Sequence, residues 1–206
     1  MIKTSLSAIA MVAVFAGNVQ AADVPAVTPV ISNLFNSDGP WTLGFNFVAN
    51  ASVSMTGLGA FDADHDGFVA SHDVGLWDSS GNLLASATVG SGDTLIGDFR
   101  YVKVAPVALT AGNTYYVGAN NYGVGGDLFG FLGTISSAPG VTYGLSAYAP
   151  GAALQFPPYT SGYQPGYFGG NLLISAVPEP SSYAMLIAGL ALAGAVRRRK
   201  QGAPAA

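Results

Sequence analysis

The chain has 206 residues and no cysteine, with seven Lys and Arg against eleven Asp and Glu. That excludes a disulfide framework, a thiolate metal site and a thiol nucleophile. Ten aspartates lie between Asp23 and Asp127, and only Arg100 and Lys103 offset them, which leaves this middle segment at −8 and excludes nucleic acid as a partner.

Residues 1–21 read as a secretory signal peptide. Lys3 supplies the positive start, Leu6 to Ala16 the apolar stretch, and Val19-Gln20-Ala21 the small residues a signal peptidase requires, with cleavage after Ala21. A payload follows at residues 22–176. Its lead carries one apolar patch, Val30-Ile31, and reads as a linker or a first edge strand. Gly39-Pro40 signals a turn. From Trp41 to Val48, Leu43, Phe45 and Phe47 fall on one face at period two, the pattern of a half-buried strand, and Val53 to Phe61 repeats it.

The stretches Asp73–Trp77 and Leu83–Val89 flank Ser79-Ser80-Gly81-Asn82, which predicts a hairpin with Gly81 at positive φ. Further strands are predicted at Phe99–Val104, Thr114–Ala119, Phe129–Ile135, Val141–Tyr148 and Gly170–Val177, with long loops between Gly125 and Tyr167. No segment before residue 181 keeps a helical period. The 23 aromatic residues demand a core. The expected fold is all-β, a jelly-roll-like β-sandwich flanked by the signal-peptide helix and a C-terminal transmembrane sorting helix.

One loop concentrates charge. Asp62, Asp64, Asp66, Gly67 and Asp73 fall at positions 1, 3, 5, 6 and 12 of an EF-hand-type loop, and the Phe68 carbonyl at position 7. Alternate carboxylates in a tight turn converge on one hard cation, so calcium is the expected ion, with Asp62, Asp64, Asp66, Phe68 and Asp73 as its ligands. Asp73 is shorter than the usual glutamate, and Ala70 offers no side-chain oxygen. The same composition also serves a plain solvated turn. His65 and His72 form a thinner case for a transition metal. Catalysis is not expected: the single Glu, Glu179, lies in the tail, and Ser71, His72 and Asp73 are adjacent, so a strand would point them to alternate faces. Tyr143, Tyr148, Tyr159, Tyr163 and Tyr167 are candidates for stacking on sugar rings, with loop packing as the alternative.

The tail has three parts in order. Pro178-Glu179-Pro180 is extended, residues 181–196 form an uncharged apolar helix, and Arg197-Arg198-Arg199-Lys200 closes it, before a short end at 201–206. Sixteen helical residues span about 24 Å, short of a hydrocarbon core of about 30 Å. The basic end favours the cytoplasmic side.

Residues 177–200, with Pro178, Glu179, Pro180 and Arg197, Arg198, Arg199, resemble the PEP-CTERM sorting signal of Gram-negative bacteria, a tail also catalogued as the C-terminal domain of ice-binding proteins. The resemblance implies an exosortase as partner, cleavage near the Pro-Glu-Pro, a transient inner-membrane intermediate, and delivery to the cell surface or extracellular matrix. Ice binding itself would want a flat threonine array, which this sequence lacks. The stretches LGFNF, LGAFDADHDGFVASHDVGLWDSSGNLLASATV and FRYVKVAPVALTAGNTYYVGA resemble a β-sandwich domain recurrent in such proteins, similar to a family sometimes attached to carbohydrate-active enzymes. The expected role is an exported surface or matrix structural or binding protein. The alternative is a module for extracellular polysaccharide, stabilised by calcium.

Overall fold

The computed structural model describes residues 22–176 other than 37 and 125, together with helical residues 186, 187, 189–191 and 194. The cleavage site at Ala21, the Pro-Glu-Pro at 178–180 and the basic end at 197–199 lie outside the described residues, as does most of the predicted sorting helix. Among the described residues no helix is long and apolar enough to cross a membrane.

The payload is all β, as the periodicity predicts. Its strands are β1 (Val24–Pro25), β2 (Val27–Phe35), β3 (Trp41–Ala49), β4 (Val53–Phe61), β5 (His72–Asp78), β6 (Leu83–Val89) and β7 (Thr94–Ile96). There follow β8 (Phe99–Leu109), β9 (Thr114–Tyr122), β10 (Phe129–Ser137), β11 (Val141–Pro150), β12 (Tyr159–Thr160), β13 (Tyr167–Phe168) and β14 (Gly170–Ala176). They form a five-stranded sheet in the order β1-β14-β4-β8-β7, a six-stranded sheet in the order β12-β11-β3-β9-β5-β6, and a three-stranded sheet in the order β13-β10-β2.

The two larger sheets form the sandwich. β14 lies against β9 and β3, and β4 against β5 and β6. Phe45 and Phe47 of β3 meet Val117 of β9, Met55 and Leu58 of β4, and Leu172 and Ile174 of β14 in one buried cluster. Each such side chain contributes about 1.5–3 kcal/mol by leaving water. The Val30-Ile31 patch lies in β2, an edge strand of the third sheet, paired along its length to β10.

The outer face of the six-stranded sheet carries a row of small residues. Ala147, Gly44, Gly118, Gly75 and Ser86 are successive neighbours across β11, β3, β9, β5 and β6. Small residues leave room for a covering layer. The Trp77 ring lies over Gly75, and Pro157 over Gly118. Phe156 packs on Tyr116 and Trp77, with ring centroids 4.8 and 6.3 Å apart. The segment after β11 thus straps across the sheet. Asn120 fixes its start by donating from Nδ2 to the Ala152 carbonyl at 2.9 Å.

The β5–β6 hairpin forms as predicted, with Gly81 at φ +82°. Asp78 closes it. Its Oδ1 accepts the N–H of Ser80 at 2.9 Å and of Asn82 at 3.0 Å, and its Oδ2 accepts Asn82 Nδ2 at 2.8 Å. The Asn82 side chain, then its N–H, hold the Asp78 carboxyl below the ordinary aspartate range. A lowered carboxyl stabilises the fold above its unfolded-chain pKa, and that contribution is lost as pH falls through the folded-state value. Asp78→Ala is therefore expected to lower Tm at neutral pH, and the gap to the wild type to narrow in acid. Paired thermal melts across the carboxylate range check this.

Candidate functional site

Two places gather chemistry. The first is the turn between β4 and β5. Asp62 ends the buried run of β4 and is itself only 2% exposed. Its Oδ2 accepts Arg100 Nε at 2.6 Å and the Gly67 N–H at 3.2 Å. The same guanidinium donates to the His65 carbonyl at 3.0 Å and the Asp93 carbonyl at 3.2 Å. Arg100, from β8, thus moulds the loop as a resident cation. His65 and Gly67 turn the chain at φ +65° and +105°. A Cβ on Gly67 would also stand 2.9 Å from Ser91 Cβ, so glycine is required there twice over.

Asp62, Asp64 and Asp66 each turn a potential ligand oxygen to one spot, all within 4.8 Å of one another. The hydrogen bond with Asp64, followed by its negative charge, raises the pKa of Asp66, and Asp62 and Asp127 add to the rise. Of the remaining predicted ligands, Phe68 lines the same small cavity and Asp73 does not. Asp73 already belongs to β5, where its carboxylate accepts Thr88 Oγ1 at 2.6 Å and its N–H bonds Asn120 Oδ1 at 2.7 Å. The Phe68 carbonyl accepts Ser91 Oγ at 2.9 Å, and that Oγ accepts the Phe68 N–H at 2.9 Å in return.

Both histidines are engaged as well. His65 Nε2 lies 3.0 Å from Asp98. His72 is fully buried, stacked on Tyr122 at 4.2 Å and met edge-on by Phe68 at 4.7 Å. Its Nδ1 lies 2.7 Å from the Asn120 carbonyl and its Nε2 3.0 Å from Asp127 Oδ2. Both ring nitrogens of His72 are thus engaged, which leaves that ring none for a transition metal. Asp127 is the residue the sequence pattern missed. It arrives from the β9–β10 connection, accepts the Val69 N–H at 2.8 Å, and lines the same small cavity as Asp62, Asp64 and Asp66.

The second place is an aromatic groove of about 350 Å3 between the three-stranded and six-stranded sheets. Phe35, Phe129, Phe131 and Tyr167 form one wall, and Trp41, Leu43 and Tyr148 the other, with Asp38 at the rim. The rings interlock: Phe131 stacks on Tyr167 at 5.4 Å, Trp41 meets Tyr148 edge-on at 5.7 Å, and Tyr148 meets Tyr167 at 5.9 Å. Tyr163 and Tyr159 extend the surface outward. They pack on Phe131 and Tyr148 respectively and are 62% and 55% exposed.

Of the tyrosines singled out in the sequence, Tyr148 and Tyr167 line the groove, and Tyr159 and Tyr163 pack against its lining. Tyr143 does neither. It leans on Phe45, and its hydroxyl bonds Ser146 Oγ at 2.6 Å, so its role is packing. Phe129 and Phe131 escaped notice as groove-lining residues, although their spacing of two placed them on one strand face.

These features define a class: an all-β sandwich with an acidic turn and an aromatic groove, leading directly into a C-terminal sorting signal. The payload matches, over residues 26–168, the family described as domain of unknown function DUF4082, and the chain belongs to that family. Residues 176–200 match the PEP-CTERM protein-sorting motif, as the tail's three parts predict. The motif marks the protein for export and for recognition by an exosortase, through a membrane-anchored intermediate on the way to the surface. Among curated proteins, none matches the chain.

Proposed function

We propose that the protein is a non-catalytic binding component of the cell surface or extracellular matrix, and that its ligand is an extracellular polysaccharide held in the aromatic groove. In this reading a signal peptidase removes residues 1–21, and the exosortase acts near Pro178-Glu179-Pro180 after the payload has been exported.

The groove carries the reading. Sugar rings present C–H faces that pack on aromatic rings and hydroxyls that need acceptors. Trp41, Tyr148, Tyr159 and Tyr163 offer the ring faces, and the Asp38 carboxylate at the rim offers an acceptor. Groups of this kind converge in a cleft on a protein bound for the outside of the cell, where polysaccharide is the abundant polymer.

The test is retention of the protein on a panel of immobilised bacterial exopolysaccharides and on a glycan array. Wild-type protein is expected to be retained on at least one glycan. Tyr159→Ala with Tyr163→Ala, both exposed and remote from the sandwich core, is expected to weaken retention about ten-fold or more at an unchanged Tm, from the ~1–3 kcal/mol a lost aromatic platform costs. Absence of retention on every glycan, or full retention by the double variant, would count against the groove as a sugar site.

A further inference from the structure

We infer that Asp62, Asp64 and Asp66 form a calcium site in the β4–β5 turn, with Asp127 of the β9–β10 connection lining the same cavity. This differs in membership from the EF-hand register read along the chain, and it is independent of the sugar-binding reading.

Three observations converge. First, the oxygens of Asp62, Asp64 and Asp66 lie within 4.8 Å of one another. Ligands on opposite sides of one calcium ion, each at about 2.4 Å, are about 4.8 Å apart, so the three can share an ion without rebuilding the loop. Second, Asp62 Oδ1 is buried and finds no hydrogen-bond partner among the described residues, while its Oδ2 is held by Arg100 and Gly67. A buried carboxylate oxygen left without a donor is costly, and a cation would satisfy it. Third, the carboxylates line one cavity of about 100 Å3 whose far wall is Gly126, Asp127 and Leu128. Asp127 adds negative charge to that cavity while its own oxygens meet the Val69 N–H and His72.

Charge points the same way. Four carboxylates face the cavity, and Arg100 is the cation paired with one of them. The donors are all oxygen, which selects a hard ion. A set of carboxylates on an exposed turn suits the adaptable shell of calcium better than the strict octahedron of magnesium.

The experiment is calorimetric titration of calcium chloride into the chelator-treated full-length chain, with thermal melts in parallel. One calcium per chain is expected, with a dissociation constant of about 10⁻⁴–10⁻³ M, as for extracellular modules, and a rise in Tm. Asp64→Asn and Asp66→Asn, both on the exposed part of the turn, are expected to weaken binding by about ten-fold or more. Asp73→Asn is expected to bind as the wild type does, which separates this site from the EF-hand register. The inference is overturned by the absence of heat and of a Tm shift at millimolar calcium, or by Asp64→Asn and Asp66→Asn binding like the wild type. It is equally overturned by a comparable loss in Asp73→Asn, or by magnesium binding as tightly as calcium.

Discussion

Replacing Arg100 with methionine is expected to cost the payload about 3–5 kcal/mol, the penalty for leaving a buried carboxylate without its counter-charge. Domains of this kind hold about 5–15 kcal/mol in total, so this one change removes a large share of the stability. The reason is geometric. The Asp62 side chain is 1% exposed and that of Arg100 13%, so water cannot take over the lost contact. The guanidinium also satisfies the His65 and Asp93 carbonyls, and the loop loses those ties at the same time. Urea unfolding of Arg100→Met measures the loss. Adding Asp62→Asn to the same chain is expected to recover part of it, because the stranded charge is then gone. A single variant that unfolds at the wild-type urea midpoint would show that the pair carries no stability.

Gly44→Ala is expected to be comparably damaging, although it adds one methyl group. In an ordinary strand the change from glycine to alanine is favourable by about 0.5–1 kcal/mol. At Gly44 a Cβ would fall on the Val117 carbonyl oxygen and 2.7 Å from Gly118 Cα, both of them backbone in the adjacent strand. Backbone in the middle of a six-stranded sheet cannot swing aside as a side chain does. The cost should reach or exceed the upper end of the ~1–3 kcal/mol typical of overpacking. Gly92→Ala is the matched control, since a Cβ there meets nothing within 4 Å. Chemical denaturation of the two variants side by side checks the contrast.

How much of this was legible in the sequence depended on range. Alternation found β3, β4, the β5–β6 hairpin and β9 because a half-buried strand writes its burial along the chain. It understated β4, which is buried on both faces: Gly57 and Gly59 look like gaps in the pattern but receive the Leu173 and Tyr101 side chains. It missed β1, β7, β12 and β13, which are two or three residues long and exist only through their partners. The strand at β10 was predicted, but the third sheet went unseen because the pairing of β10 with β2 is long-range and neither stretch names its partner.

The acidic turn shows the same limit. Counting along the chain brought Asp62, Asp64 and Asp66 together correctly, because they are local. It then ran on to Asp73, which the pairing of β5 with β6 and β9 had already claimed. Asp127 and Arg100 are distant in sequence, and only the stacking of strands carries them to the turn. The groove follows suit: Trp41 and Tyr148 are partners across β3 and β11 and meet Tyr167 from a third sheet.

The pairing of β1 with β14 bears on the order of events during export. Val24 faces Ile174 and Pro25 faces Leu173, and the Asn171 side chain donates to the Val27 carbonyl. Asp23, beside the predicted leader junction, is already tied to Thr56 and Lys103. The first and last strands of the payload are therefore neighbours, and the strand between β1 and β4 is the last one to be synthesised. The five-stranded sheet cannot close until residue 176 has crossed to the side where folding occurs. Contacts that span the whole domain form late, after the full loop entropy has been met. A membrane-anchored intermediate would hold the chain at the point where the sheet gains its last member.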